Sequence, residues 1–186
     1  TENGQGQEEP TPSEVHIGVY EPMTGASASG GQMTWEGIQL ANEMHPEVLG
    51  LPVRLHLEDN KTDKTEAANA VTRLIDQKHV VAIIGSYGSS LSIAGGEVAK
   101  NKKIPVDGCS PTNPLVTQDN PYYFRVCFID PFQGKVMAKY AYESLNAKTA
   151  VIIRNVQDDY AVVLANYFKE AFIQLTGNDK SVLAEL

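Results

Sequence analysis

Two short stretches hold the residue types that could do chemistry: Gly-Ser-Tyr-Gly-Ser-Ser over 85–90 and Gly-Cys-Ser-Pro-Thr-Asn-Pro over 108–114. Both combine hydroxyls with glycine or proline, which suits binding better than reaction. Where such a turn opens a helix, unpaired backbone N–H groups and serine hydroxyls stand beside the positive end of the helix dipole. That arrangement favours a carboxylate or phosphate, with a dipole share of about 0.3 to 2 kcal/mol. The plainer alternative is a turn whose serines, Ser89 or Ser90, only cap the helix.

Catalytic patterns are weaker. A dinucleotide fingerprint needs Gly-x-Gly-x-x-Gly, and 85–90 lacks that spacing, although Asp107 falls about where a ribose-binding acid would stand. No Gly-x-Ser-x-Gly elbow occurs, and His16, His45, His56 and His79 are scattered without the spacing of a triad or a metal site. Cys109 has no recognisable base partner. These residues propose neither an enzyme nor a cofactor.

The elements that must position the turns alternate between strand and helix. Residues 15–20 and 80–84 read as buried strands, and 53–57 alternates as a strand with one face less covered, at an edge of the sheet. A helix is expected over 32–44, with Gly37 marking close packing on the sheet. The clearest helix follows Asp63, where Ala67, Ala70, Val71, Leu74 and Ile75 form an amphipathic stripe. Further on, 104–106 is a strand, 122–128 is extended and aromatic, and Asp130, Pro131 and Gln133 supply cap, proline and capping-box partner for a helix bearing Val136, Met137, Tyr140 and Ala141. Residues 150–153 form a strand, the helix after it carries Tyr160, Leu164, Phe168, Ala171 and Leu175 and ends at Gly177, and 181–186 starts another strand. This order predicts an α/β protein, doubly wound, with a mainly parallel sheet in the order 2-1-3-4-5.

In that sheet the ligand crevice lies beyond the carboxyl ends of the first and third strands, where strand order reverses. The loops that border it are 22–31, with Thr24, Ser27 and Ser29, and 85–90. The turn with Ser110 and Thr112 comes in beside them.

Composition narrows the partners. Of 186 residues 42% are hydrophobic, and no apolar run is long enough to span a bilayer. The net charge is −8, with Glu2, Glu8, Glu9 and Glu14 in the first fourteen residues, which carry no base; this balance argues against nucleic acid. Residues 1–14 read as a disordered polar leader, a composition that also suits a link between a lipid anchor and a folded domain. Cys109 and Cys127 are the two cysteines. A disulfide between them, closing a loop of about 18 residues, would contribute roughly 3 kcal/mol; two free buried thiols are the alternative.

Taken in order, Tyr-Glu-Pro-Met-Thr-Gly-Ala-Ser-Ala-Ser-Gly-Gly-Gln over 20–32, Ile-Gly-Ser-Tyr-Gly-Ser-Ser over 84–90, Ser-Pro-Thr-Asn-Pro over 110–114 and Phe-Arg-Val-Cys-Phe-Ile-Asp-Pro-Phe-Gln-Gly over 124–134 resemble the periplasmic solute-binding proteins of branched-chain amino acid ABC transporters. The resemblance covers 15 to about 176. It implies a type I periplasmic-binding-protein-like fold, with the first lobe over 15–146 and the start of a second over 147–186. It also implies a periplasmic or extracellular receptor that closes on an amino acid or related small carboxylate and delivers it to a membrane permease. Hinge closure of this kind is a known repertoire of such receptors.

By the same resemblance, Ser89 and Thr112 hold the ligand carboxylate, the backbone at Ser110 helps bind the amino group, and Tyr160 covers the ligand. Tyr87, Ser27 and Ser29 follow by position. Family members are much longer, so a truncated chain is expected, whose missing part includes the acid that meets the ligand ammonium. Its exposed sheet edges would favour a homodimer. A ligand-sensing domain and an enzyme on the same architecture are the competing readings.

Overall fold

From Val15 onward, short β-branched strands alternate with helices in the computed structural model of the chain, which describes residues 13–186. The leader expected over 1–14 lies, up to residue 12, outside the described residues. Strands β1 (Val15–Glu21), β3 (Leu51–Asp59), β4 (Ala82–Gly85), β5 (Val106–Gly108) and β6 (Tyr123–Arg125) are joined in parallel, and a two-residue β2 (Glu47–Val48) pairs antiparallel with β3. The sheet order is β2-β3-β1-β4-β5-β6. Its five main strands therefore follow the 2-1-3-4-5 order expected from sequence.

The β2–β3 hairpin takes the edge position expected for the second strand. Leu49 and Gly50 turn it, both at positive φ (54° and 78°), the backbone a two-residue hairpin requires. A leucine in that position, 98% exposed, gives no turn signal in sequence.

One face of the sheet is covered by α2 (Lys64–Lys78) and α3 (Ser89–Lys102). The α2 stripe is as the sequence predicts: Ala67, Ala70, Val71 and Leu74 are fully buried against Tyr20 and Ile83. Asp63 caps the helix, its carboxylate accepting the Glu66 N–H at 2.9 Å. The other face is covered by α1 (Ala28–Met44), which begins four residues before the expected start because the 25–27 turn closes on it, the Ala28 N–H reaching the Gly25 carbonyl. Gly37 meets nothing within 4 Å. It borders an open apolar groove of about 790 Å³ lined by Ile17, Met33, Ile38, Val53, Leu55 and Phe124, not a tight contact with the sheet. The glycines that do allow close approach are Gly30 and Gly31, about two turns earlier.

A second, smaller body follows. It contains α4 (Asp130–Lys139), a π-helical turn at Tyr140–Ser144, and parallel strands β7 (Ala150–Ile152) and β8 (Val182–Glu185) joined by α5 (Asp159–Thr176). Gly177 closes α5 in the left-handed region, φ 65°. Ala138, Ala171 and Phe172 form its buried centre, with Phe168 stacked on Phe172 at 5.5 Å between ring centroids.

Helix α4 differs from expectation in two ways. Its N-cap is Ile129 rather than Asp130, which lies inside the first turn with its side chain buried. Its buried face is Gly134, Ala138 and Ala141, while Val136, Met137 and Tyr140 are exposed. The reason is packing on α5: a Cβ at Gly134 would stand 2.6 Å from Tyr167 Cβ and 2.8 Å from the Phe168 nitrogen. Through that contact α4 joins the second body.

Candidate functional site

The turn between β4 and α3 is held from several directions by side chains distant in sequence. The Tyr123 hydroxyl donates to the Gly85 carbonyl. Asn60 Nδ2 donates to Ser86 Oγ at 2.9 Å, and Ser92 Oγ donates to the Ser86 carbonyl at 2.9 Å. The Tyr87 N–H donates to Glu21 Oε2 at 2.7 Å. Gly88, at φ 96°, is the residue that caps α3, a backbone region glycine enters without penalty. This corrects the reading of Ser89 or Ser90 as the cap: neither side chain bonds its own helix.

Both serines are freed for other partners. Ser89 Oγ is buried and accepts the Asn113 N–H at 3.2 Å, which leaves its own proton for an acceptor. Ser90 Oγ donates to Asp158 Oδ1 at 3.1 Å and accepts the Asp159 N–H at 3.0 Å, reaching across to the start of α5. Asn113 Nδ2 also reaches across, donating to the Asp159 carbonyl at 3.1 Å, and Lys64 Nζ pairs with Asp159 Oδ2 at 2.7 Å. Burial pushes the Asp159 carboxyl up, but the Lys64 ammonium and the Ser90 hydroxyl together outweigh it and hold the group below the usual carboxylate range.

Between the two bodies lies a crevice of about 680 Å³. All five ligand-binding candidates drawn from the main turns and the second body line it: Tyr87, Ser89, Ser110, Thr112 and Tyr160. Of the weaker candidates, Ser27 lines it and Ser29 does not, because Ser29 has been drawn into the first turn of α1. Ser110 Oγ is buried and meets no partner among the described residues. Thr112 is largely buried, and its carbonyl accepts the Asp130 N–H at 2.9 Å. Burial raises the Asp130 carboxyl, with the Thr112 hydroxyl and Arg125 pulling it partly back. Tyr160 is fixed by its hydroxyl, which accepts from Gln133 Nε2 at 3.1 Å. Tyr87, 39% exposed, lies over Gly30.

The crevice also contains residues the sequence did not single out: Lys64, Gln133, Asn155, Gln157 and Asp158. For Asp158 a signal existed. An aspartate pair directly before an apolar helix marks an N-cap, and its carboxylate does accept the Tyr160 N–H at 3.1 Å. Lys64 and Gln157 reach the crevice only because two separate bodies meet there, which no local pattern encodes.

Away from the crevice, Cys109 and Cys127 stand as free thiols in this structure, and they are not both buried as the free-thiol alternative had them. Cys109 is exposed, and Cys127 turns its sulfur to the Pro111 carbonyl at 3.3 Å. Near the opposite end of β1, His16 Nδ1 and His56 Nε2 lie 2.7 Å apart with stacked rings, and His16 Nε2 faces Glu14 at 3.1 Å. The pairing of β1 with β3 brings them together across forty positions of sequence.

Comparison with known proteins gives this architecture its relatives. Residues 14–185 match the family described as Periplasmic binding protein. The structure is similar to a leucine binding protein, LivK, from Thermotoga maritima, with a TM-score of 0.88 and 47% identity over 92% of this chain and 49% of that one. It is similar as well to LivJ from Streptococcus pneumoniae, solved with isoleucine, with a TM-score of 0.83 and 29% identity over 92% of this chain and 49% of the other. In sequence, an amino acid binding protein of Pseudomonas aeruginosa is 33% identical over 158 residues, 83% of this chain and 42% of that protein. The chain thus spans about half the length of the relatives it matches. Since the family match runs through β1 and the crevice-lining turns to the last strand of the second body, the chain belongs to the periplasmic binding protein family.

Proposed function

We propose that the chain forms one wall of a binding site for a small carboxylate of the amino-acid type, in an extracytoplasmic solute receptor that serves a membrane permease. The observation that carries this reading is the convergence of Ser89, Ser110 and Thr112, from two different βα turns, on one crevice at the carboxyl ends of β4 and β5. Ser89 has a hydroxyl proton to give, Ser110 has an unengaged hydroxyl, and the α3 N-terminus adds backbone N–H groups. Tyr87 and Tyr160 supply aromatic surface for the ligand's remaining atoms. The leucine- and isoleucine-related names of LivK and LivJ favour an aliphatic amino acid. Binding of this kind needs no cofactor and no catalytic group.

In this reading the lobe boundary, expected between 146 and 147, moves back to the start of α4, since Ala138 of α4 packs with Ala171 and Phe172 of α5. The test is calorimetry of the full-length parent protein with L-leucine, L-isoleucine and L-valine. Binding is expected, and Ser89→Ala or Thr112→Val should each weaken it by about 1 to 3 kcal/mol, the range for a lost hydrogen bond to a charged group. Silence toward all three amino acids, or unchanged affinity in both variants, overturns the reading.

A further inference from the structure

Four side chains hold the 85–87 turn: Tyr123, Ser92 and Glu21 through its backbone, and Asn60 through the Ser86 hydroxyl. Three are neutral. Glu21 is the one carboxylic acid among the four, and it is completely buried. Its Oε2 accepts the Tyr87 N–H, and its Oε1 meets no donor among the described residues, so nothing there compensates a negative charge.

Among the described residues no cation pairs with it: Lys61, in the loop whose Asn60 N–H bonds the Glu21 carbonyl, turns its ammonium to Glu66 at 3.4 Å. Along β1 the neighbour of Glu21 is Tyr20, and opposite on β3 is Asp59, whose carboxylate is occupied by the Met23, Thr24 and Lys61 N–H groups. From β6 comes Tyr123, from β5 comes Asp107, and directly after β5 comes Cys109. The β4 strand and the first turn of α1 carry no titratable residue. Tyr20, Tyr123 and Cys109 all have their ionisation pushed up, so they stay neutral around Glu21.

The geometry points to Glu21 as a positioning residue of the binding turn that makes the hold on an acidic ligand depend on pH: a neutral carboxyl anchors Tyr87 beside the crevice, whereas an ionised one places an uncompensated negative charge beneath the turn that receives the ligand's carboxylate. This rests on the reading of the crevice as a carboxylate site. Burial places the change of charge at about pH 8, with the Tyr87 N–H opposing the shift. The Tyr87 ring, resting on Gly30, and the Ser89 hydroxyl two positions on are the groups through which Glu21 acts.

The experiment has two arms on the full-length protein. In the first, the Tyr87 amide resonance is followed from pH 6 to pH 10 by nuclear magnetic resonance. It should titrate with a midpoint near 8, and the titration should vanish in Glu21→Gln. In the second, the Kd of L-leucine is measured at pH 7 and pH 9. It should rise roughly three- to tenfold in the wild type, as like charges a few residues apart repel in a partly buried site. Glu21→Gln, whose amide oxygen still accepts the Tyr87 N–H, should keep the pH 7 affinity and show only the small change due to leucine's own amine. Glu21→Leu should bind weakly at both values.

Coincident pH profiles for wild type and Glu21→Gln overturn the pH dependence, and a Tyr87 amide that does not titrate overturns the positioning role. Absence of leucine binding at every pH defeats the carboxylate reading and the affinity arm with it. The amide titration then still decides whether Glu21 holds the turn.

Discussion

The Ser90 hydroxyl lies 3.1 Å from Asp158 Oδ1, joining the first turn of α3 to the N-cap of α5 across 68 positions of sequence. The same oxygen accepts the Asp159 N–H, so one serine meets two groups of the second body. Removing it in Ser90→Ala leaves Asp158 with its capping bond to the Tyr160 N–H, and folding should change little. What is lost is a contact across the crevice. Ligand dissociation should speed up by roughly three- to tenfold, the effect of about 1 kcal/mol for a partly exposed hydrogen bond. Stopped-flow measurement of dissociation checks this, and an unchanged rate would show that the two bodies are held by other contacts.

Glu21 also bears on stability. Its folded carboxyl is raised from 4.5 to about 8, so between those values the folded chain keeps a proton that the unfolded chain has released. Stability should therefore fall as pH rises from about 4.5 to about 8, then level off. Glu21→Gln removes the penalty and should be more stable than wild type at pH 8 by a few kcal/mol, on the order of one pKa unit per 1.4 kcal/mol. Urea unfolding at pH 5 and pH 8 measures the difference, and equal slopes against pH for the two proteins would refute it.

The His16–His56 pair has the opposite sign of pH response. Burial first, then the proximity of His16, lowers His56, so the unfolded chain takes up a proton before the folded one does. The contribution is fully present above the ordinary histidine value of about 6.5 and declines as pH falls below it. Because the pair is only partly buried, solvent screens it and the loss should be under about 1 kcal/mol. Denaturation of wild type and His56→Gln at pH 7.5 and pH 5 should show the wild type losing more. A variant with the same acid sensitivity would place the effect elsewhere.

Elements with strong local signals were legible in the sequence. The α2 stripe and its Asp63 cap, the hydroxyl-rich turns at 85–90 and 110–114, and the parallel strand order all follow from periodicity, turn chemistry and crossover handedness. The errors share a cause. Ser89, Ser90 and Asp130 carry side chains that favour caps, yet Gly88 and Ile129 occupy those positions: both serine hydroxyls have partners far away in sequence, and the Asp130 N–H is taken by the Thr112 carbonyl while its carboxylate lies buried inside the first turn. The face that α4 buries was not legible for a similar reason: contact with α5 selects the small residues Gly134 and Ala138 for burial and leaves Val136, Met137 and Tyr140 exposed. Glu21 gave no signal, since a glutamate ending a strand reads as a solvent-exposed residue until the turn above it is seen.

Adjacent glycines at the start of α1 separate ligand binding from folding. A Cβ at Gly30 would meet the Tyr87 ring at 2.4 Å, whereas one at Gly31 would meet the Pro22 carbonyl oxygen at 2.2 Å. A ring can swing away; a backbone carbonyl held between β1 and α1 cannot do so without moving the strand end. Gly30→Ala should therefore fold nearly as well as the wild type but displace Tyr87 from the crevice and weaken leucine binding several-fold. Gly31→Ala should lose about 1 to 3 kcal/mol of stability, the usual cost of overpacking a close contact, with binding reduced only through the unfolded fraction. Thermal unfolding and calorimetry on both variants distinguish the two outcomes, and a Gly30→Ala protein with full affinity would remove Tyr87 from the binding surface.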